Sequence, residues 1–269
     1  MAARKRRSTA VELPPLVELD EAETNLNVLL HSDSGTGKTV FGGGAGLIIS
    51  TEKGGAISAR RAGSKAKLRH CKKWEEFVAV KAWWEAEGHT QFDWTTFDSL
   101  TSMQEMMLRW ILERAHSHNS NRDLDVPDQN SHQKWQNYFK RTVGELCDIP
   151  ANTLFTAQSM NIETEEGAER VMPMIAGQKG AISQYTCGLM TCIGYMRVVN
   201  TKGKEIRRIY WQSRPPYYAK DWLDALGRHT DDKSLSELSP VMTEALTGSA
   251  PTTTTRTRRT GARKARSNG

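Results

Sequence analysis

The strongest chemical signal in the chain is Ser32-Asp33-Ser34-Gly35-Thr36-Gly37-Lys38-Thr39, which follows an apolar run and opens a helical pattern. In that context backbone N–H groups converge on an anion. Gly35 and Gly37 tolerate the positive φ that such a loop demands. Lys38 is a cation long enough to reach β- and γ-phosphates, and Thr39 offers a hydroxyl to Mg²⁺. Ser34, Gly35, Thr36, Gly37, Lys38 and Thr39 therefore form a candidate nucleotide cradle. The strict pattern has glycine where Ser32 stands, a small-for-small departure. The bland alternative is a chance GTGKT in a glycine-rich turn.

A phosphate loop alone binds; hydrolysis also needs an acid for the metal and a group that orients water. Asp98 ends the apolar run Trp94-Thr-Thr-Phe-Asp98 and precedes Ser99. At the C-terminal edge of a parallel strand it would face the loop and support Mg²⁺; it could equally serve as a helix N-terminal acid. Glu52 closes Leu47-Ile-Ile-Ser-Thr-Glu52, where it is a candidate general base or an ordinary strand-end carboxylate. Gln158 ends Thr153-Leu-Phe-Thr-Ala-Gln158. Its amide would sense a γ-phosphate, or it is a plain polar strand terminus.

These residues need strands that end together. Short apolar runs at 25–31, 46–50, 92–98, 153–158 and 188–198 read as strands. Helical spacing runs over 74–87, over Leu100, Met103, Met106, Met107, Trp110 and Ile111, and over Trp135, Tyr138, Phe139, Val143 and Leu146. A helix is expected from Thr39, weakened by Gly42, Gly43 and Gly44. Residues 117–131 read as a polar loop, Asn200–Gly203 as a hairpin turn before a strand 205–211, and Asp221–Leu226 as a short C-terminal helix. The alternation implies α/β architecture with a mostly parallel central sheet flanked by helices on both faces.

The composition, 38% hydrophobic and 25% charged, suits a soluble globular chain rather than a membrane or fibrous one. No run approaches 18 apolar residues, which excludes a transmembrane helix, and no secretory signal is visible. Cys71, Cys147, Cys187 and Cys192 show no CxxC spacing, so reduced thiols in a cytoplasmic protein are expected. His116, His118 and His132 flank the polar loop without the carboxylate spacing of a metal site. The net charge of +6 belongs to the ends. Residues 1–7 hold four basic residues and 251–269 hold six, with no acid in either. Without those ten, 27 basic residues face 31 acidic ones. The expected organisation is a basic arm over 1–20, a core over 21–230 and a flexible basic tail over 231–269. Basic arms suit nucleic acid, or merely solubilise.

The order of phosphate loop, Glu52, Phe97-Asp98-Ser99 and Gln158, with Ala219-Lys-Asp-Trp222 after a basic hairpin, resembles the RecA/RadA-type P-loop ATPase core over about residues 24–225. Its lack of accessory domains is most similar to phage-encoded members, the Sak-type single-strand annealing ATPases. The resemblance implies ATP and Mg²⁺ as cofactors. It also implies a homo-oligomer, ring or filament, acting on single-stranded DNA, with a single-stranded DNA-binding protein as a further partner, in the host cytoplasm. It assigns phosphate and Mg²⁺ contact to Lys38 and Thr39, Mg²⁺ support to Asp98, water activation to Glu52 and γ-phosphate sensing to Gln158. Lys220 would reach the γ-phosphate of a neighbouring subunit; otherwise it is a surface lysine. The family's DNA-binding loop would fall at about 159–177. Here Glu163, Glu165, Glu166 and Glu169 crowd that stretch, so DNA would meet backbone, Arg170, Lys179, Met172 or Met174. Trp222 stands where the family usually has arginine. A helicase- or loader-type motor, or a nucleotide-gated DNA-binding adaptor with negligible turnover, are the alternatives.

Overall fold

The computed structural model describes residues 16, 18, 25–54, 56–164, 167–177 and 180–248. Most of the expected N-terminal arm and the tail beyond residue 248 lie outside the described residues, as do Glu165, Glu166 and Lys179.

The chain begins with β1 (Asn27–Ser32), α1 (Lys38–Gly42), β2 (Leu47–Ser50), α2 (Ala56–Arg61), β3 (Lys67–His70) and α3 (Trp74–Ala86). It continues with β4 (Thr95–Asp98), α4 (Leu100–His118), α5 (Gln129–Cys147), β5 (Thr153–Glu163), β6 (Glu169–Pro173) and α6 (Ala181–Leu189). Last come β7 (Cys192–Thr201), β8 (Lys204–Tyr210), β9 (Lys220–Asp221), β10 (His229–Asp231) and α7 (Leu235–Leu246). The ten-stranded sheet has the order β10-β8-β7-β1-β5-β4-β2-β3, with β6 on β5 and β9 on β7. From β7 through β1, β5, β4 and β2 to β3 every pairing is parallel; β8, β10, β6 and β9 join antiparallel. The expected mostly parallel α/β sheet is the one observed.

Every residue of β1 is buried, as a central strand covered on both faces requires. Alternation along it feeds two cores. Leu29 joins Phe97, Phe155, Trp84, Met103, Met107, Trp135 and Phe139 under α3, α4 and α5. Val28 and Leu30 join Phe41, Met196, Ile209, Leu235 and Met242 under α1 and α7. Phe97 and Phe155 stack 5.2 Å apart, and Trp84 meets Phe97 edge-on at 5.2 Å. Helix α1 is only five residues long, because three glycines follow within its pattern. Gly42 has no side chain for a reason: a Cβ there would lie 2.7 Å from Thr96 Cγ2 of β4.

Four expectations need correction. The core does not stop at residue 230, since β10 and α7 follow and Leu235, Leu238 and Met242 of α7 are buried. The signal was present: a Ser234–Glu237 capping box before apolar residues at i, i+3 and i+7. No helix forms over Asp221–Leu226. The Asp221 carboxylate instead accepts the N–H groups of Leu223 and Leu226, a local bond that competes with helix. The segment 159–177 is largely an antiparallel hairpin of β5 and β6 rather than a loop. The fifth strand starts at Cys192, because residues 181–189 form α6.

Phe155 is fully buried in the core under α3, α4 and α5 and stacked on Phe97. Phe155→Ala is expected to lower unfolding free energy by about 3–5 kcal/mol in denaturant titration; a loss under about 1 kcal/mol would mean that the face repacks without it.

Candidate functional site

Parallel register brings the expected residues to one edge. Ser32 pairs with Gln158 across β1 and β5, and Ser50 pairs with Asp98 across β2 and β4. The loop after β1, the end of β4 and the turn after β2 therefore share the C-terminal edge of the parallel sheet, where open α/β sheets place ligands. Gln158 is level with them, although it does not end its strand as expected: β5 runs on to Glu163 to pair with β6.

The loop turns through Gly35 at φ 79° and Gly37 at φ 113°. Lys38 is buried, and its Nζ donates to the Ser32 carbonyl at 3.1 Å, to Ser32 Oγ at 3.1 Å and to the Asp33 carbonyl at 2.9 Å. The ammonium thus lies folded across the concavity of its own loop. Burial pushes its pKa down, while the charges of Glu52, Asp98 and Asp33 push it up. The serine at the first loop position is not passive: its hydroxyl also bonds Thr36 Oγ1. Glycine there would supply neither bond.

Asp98 is 2% exposed. One carboxylate oxygen accepts from Thr39 Oγ1 at 3.0 Å and the other from Thr156 Oγ1. Burial raises its pKa first of all, Glu52 adds to the rise, and the Thr156 and Thr39 hydroxyls and the Lys38 charge oppose it. Glu52 is half-buried beyond β2, and its Oε1 accepts a 2.6 Å bond from Ser99 Oγ. Ser99 is also the N-cap of α4, accepting from the Ser102 N–H at 3.2 Å. The helix start that caps α4 is therefore the device that orients Glu52. The alternative reading of Asp98 as the helix N-terminal acid is corrected: the cap of α4 is Ser99, and Asp98 is the last residue of β4.

Gln158 is held through its backbone: its N–H donates to Thr101 Oγ1 at 3.0 Å and its carbonyl accepts from Met174 N–H at 2.6 Å. Its side-chain amide has no partner among the described residues. Lys220 is not brought to this edge. It lies on β9, opposite Ile193 at the start of β7, where its Nζ donates to the Cys187 carbonyl at 2.9 Å and sits 3.8 Å from the Trp222 ring centroid. Trp222, 67% exposed, thus covers the lysine that it follows in sequence.

Sequence reasoning missed three contributors. Thr156 has the same strand parity as Gln158, a signal that alternation along β5 does carry. Ser99 was legible only as a neighbour of Asp98. Arg207 carried no sequence signal beyond its place in a basic hairpin. From β8 its Nε donates to the Thr36 carbonyl at 3.1 Å, and a Cβ on Gly37 would lie 2.6 Å from that Nε. Gly37 thus serves two ends, a left-handed backbone and room for a guanidinium over the loop. Its Nη groups have no partner among the described residues.

The donor set fits a nucleotide and a hard divalent cation. A lysine and a guanidinium border the loop, while a hydroxyl (Thr39) and a buried carboxylate (Asp98) in contact are the oxygen ligands that Mg²⁺ takes. Among the described residues no group of three or more His, Cys, Asp and Glu side chains is gathered to hold a metal, and no helix is long and apolar enough to cross a membrane. A family model described as AAA domain matches residues 24–223. No curated protein matches the chain.

His31, just before the loop, is wholly buried, its ring nitrogens bonded to Ser159 Oγ and the Tyr218 carbonyl, each at 2.9 Å. Burial lowers its pKa to about 4, with the Lys38 charge adding to the drop. Between pH 6.5 and about 4 the unfolded chain takes up a proton that the folded chain refuses, so this imidazole costs stability as pH falls through that window, up to about 3 kcal/mol. The expected result is that the stability advantage of the natural chain over His31→Gln shrinks as pH falls from 6.5 to 4. An advantage independent of pH would show that the imidazole is not held neutral.

Proposed function

We propose that this chain, which belongs to the AAA-domain family of P-loop ATPases, binds ATP with Mg²⁺ and hydrolyses it. We further propose that it does so as a RecA-like oligomer on single-stranded DNA, in recombination, annealing, repair or replication of a phage. One observation carries the catalytic part: Lys38, Thr39, Asp98 and Glu52 converge at one sheet edge with Thr39 bonded to Asp98 and Glu52 held by Ser99. The basic chain ends and the order of site residues along the sequence support the DNA part.

Each residue has a defined task in this reading. The Lys38 ammonium exchanges two carbonyl oxygens and a hydroxyl for phosphate oxygens, which carry more charge and bind it more strongly. Thr39 and Asp98 would hold Mg²⁺, which supplies charge neutralisation between the phosphates. Glu52 has one oxygen fixed by Ser99 and the other available to accept a proton from attacking water. The Gln158 amide, level with Ser32, would bond the γ-phosphate and carry its loss into the β5–β6 hairpin. Arg207 would leave the Thr36 carbonyl for a phosphate oxygen. Lys220 would act only across a subunit boundary, by giving up the Cys187 carbonyl for a neighbour's phosphate.

Phosphate release with and without single-stranded DNA tests the reading. Lys38→Ala is expected to lose turnover by roughly 10²–10³. Glu52→Gln is expected to keep nucleotide binding and lose turnover by about 10²–10⁴. Normal turnover in Lys38→Ala would overturn the assignment of the loop; hydrolysis indifferent to DNA would remove the DNA part alone, and tight binding without turnover in the natural chain would make it a nucleotide-gated adaptor. Arg207→Ala is expected to weaken binding of a fluorescent ADP analogue about tenfold, the scale of one hydrogen bond to a charged group. Unchanged affinity would leave Arg207 as cover for the loop only.

A further inference from the structure

Beside the phosphate loop, on the face of the β7–β8 hairpin away from α1, lies a cluster that the ATPase reading leaves unused. Register puts Tyr195 opposite Tyr210 and Arg197 opposite Arg208. Tyr217 packs onto the two tyrosines, with ring centroids 5.1 Å from Tyr195 and 4.8 Å from Tyr210. It is held there by a tight turn in which Arg214 and Tyr217 exchange backbone hydrogen bonds of 3.3 and 2.8 Å. Arg228 adjoins from the bend just before β10, its carbonyl accepting from the Trp211 N–H at 3.1 Å.

The charges around these rings are unbalanced. Arg197, Arg214 and Arg228 are exposed, and all three act on the Tyr217 hydroxyl. None is paired with a carboxylate among the described residues. The nearby acid Asp231, on the adjoining β10, is already taken in two 2.7 Å bonds by Arg208 of β8. Asp33 of the loop acts on the Tyr195 hydroxyl, at the inner side of the cluster. Three like charges gathered without counter-charge repel one another unless a polyanion joins them.

We propose that Arg197, Arg214 and Arg228, with the rings of Tyr210 and Tyr217, form a binding surface for single-stranded nucleic acid. Arginines spaced around half-buried aromatic rings match the two needs of such a strand, phosphates to neutralise and bases to stack. The surface also explains how a strand could avoid the β5–β6 hairpin, where Glu163 stands opposite Glu169. It reaches the nucleotide site through His31, whose ring lies 5.1 Å from Tyr195 and whose chain neighbour is Ser32. This inference rests on the DNA part of the proposed function and adds the place of contact.

The test is fluorescence anisotropy of the full chain with a labelled oligo(dT), over a series of salt concentrations. Nucleotide affinity, measured with a fluorescent ADP analogue, serves as the check of folding and of the ATP site. The triple variant Arg197→Ala/Arg214→Ala/Arg228→Ala is expected to bind the oligonucleotide at least tenfold more weakly. Its slope of log affinity against log salt should be shallower by about 2, as three phosphate contacts on a single strand require. Tyr217→Ala should weaken binding about tenfold and Tyr217→Phe little, because the ring stacks and the hydroxyl does not. Natural affinity and slope in the triple variant would overturn the proposal, as would a change of oligomeric state with DNA binding intact, which would make the patch an interface between copies. Loss in the triple variant with no effect of Tyr217→Ala would reduce it to a polyanion surface and overturn the stacking role. Failure of the natural chain itself to bind the oligonucleotide would instead sink the DNA part of the proposed function.

Discussion

A buried carboxylate with no ion-pair partner among the described residues, Asp98, organises the nucleotide edge of this protein. Burial alone raises its pKa and would favour a neutral acid. Two threonine hydroxyls from different elements, Thr39 of α1 and Thr156 of β5, offset that cost by bonding one oxygen each. The same bonds pin the start of α1, and so the loop before it, against β4 and β5. Loop position, helix start and strand ends are therefore one mechanical unit, set by the need to satisfy one buried acid.

Among the described residues, none of Lys38, Glu52, Asp98 and Arg207 at this edge is held in an ion pair. Lys38 faces carbonyl oxygens rather than a carboxylate, yet Glu52, Asp98 and Asp33 all act on it. Glu52 is oriented by a hydroxyl rather than by a cation. Among the described residues, the Arg207 guanidinium covers the loop while bonding only the neutral Thr36 carbonyl. In the proposed complex, phosphates would carry the counter-charge for Lys38 and Arg207, and a divalent cation that for Asp98 and Glu52.

The edge is also wired to its surroundings through β1. His31 precedes Ser32 and ties it to Ser159, the residue after Gln158, and to Tyr218, the residue after Tyr217. The glycine-rich loop, β5 just after Gln158 and the aromatic cluster thus meet on one imidazole held neutral by burial.

The sequence by itself determined whatever depends on near neighbours and periodicity. The loop Ser32–Thr39 was legible from glycine placement and a lysine–threonine pair. Asp98, Glu52 and Gln158 were legible as polar residues ending apolar runs, and the alternation of runs implied the parallel sheet. The cap of α4 is a local pattern too. Capping chemistry at Ser234 was equally local, but was hidden by the polar composition of the chain's end. Tertiary structure alone decided the pairings that span long stretches of chain. Thr156 reaches Asp98 across 58 residues, Tyr218 reaches His31 across 187, and Arg207 reaches Thr36 across 171. It also decided that Lys220 lies at the far end of β7 from the loop, under Trp222. Residue spacing encodes which face of an element a side chain occupies; it does not encode which distant element that face will meet, because sheet order and register are set by the packing of the whole core.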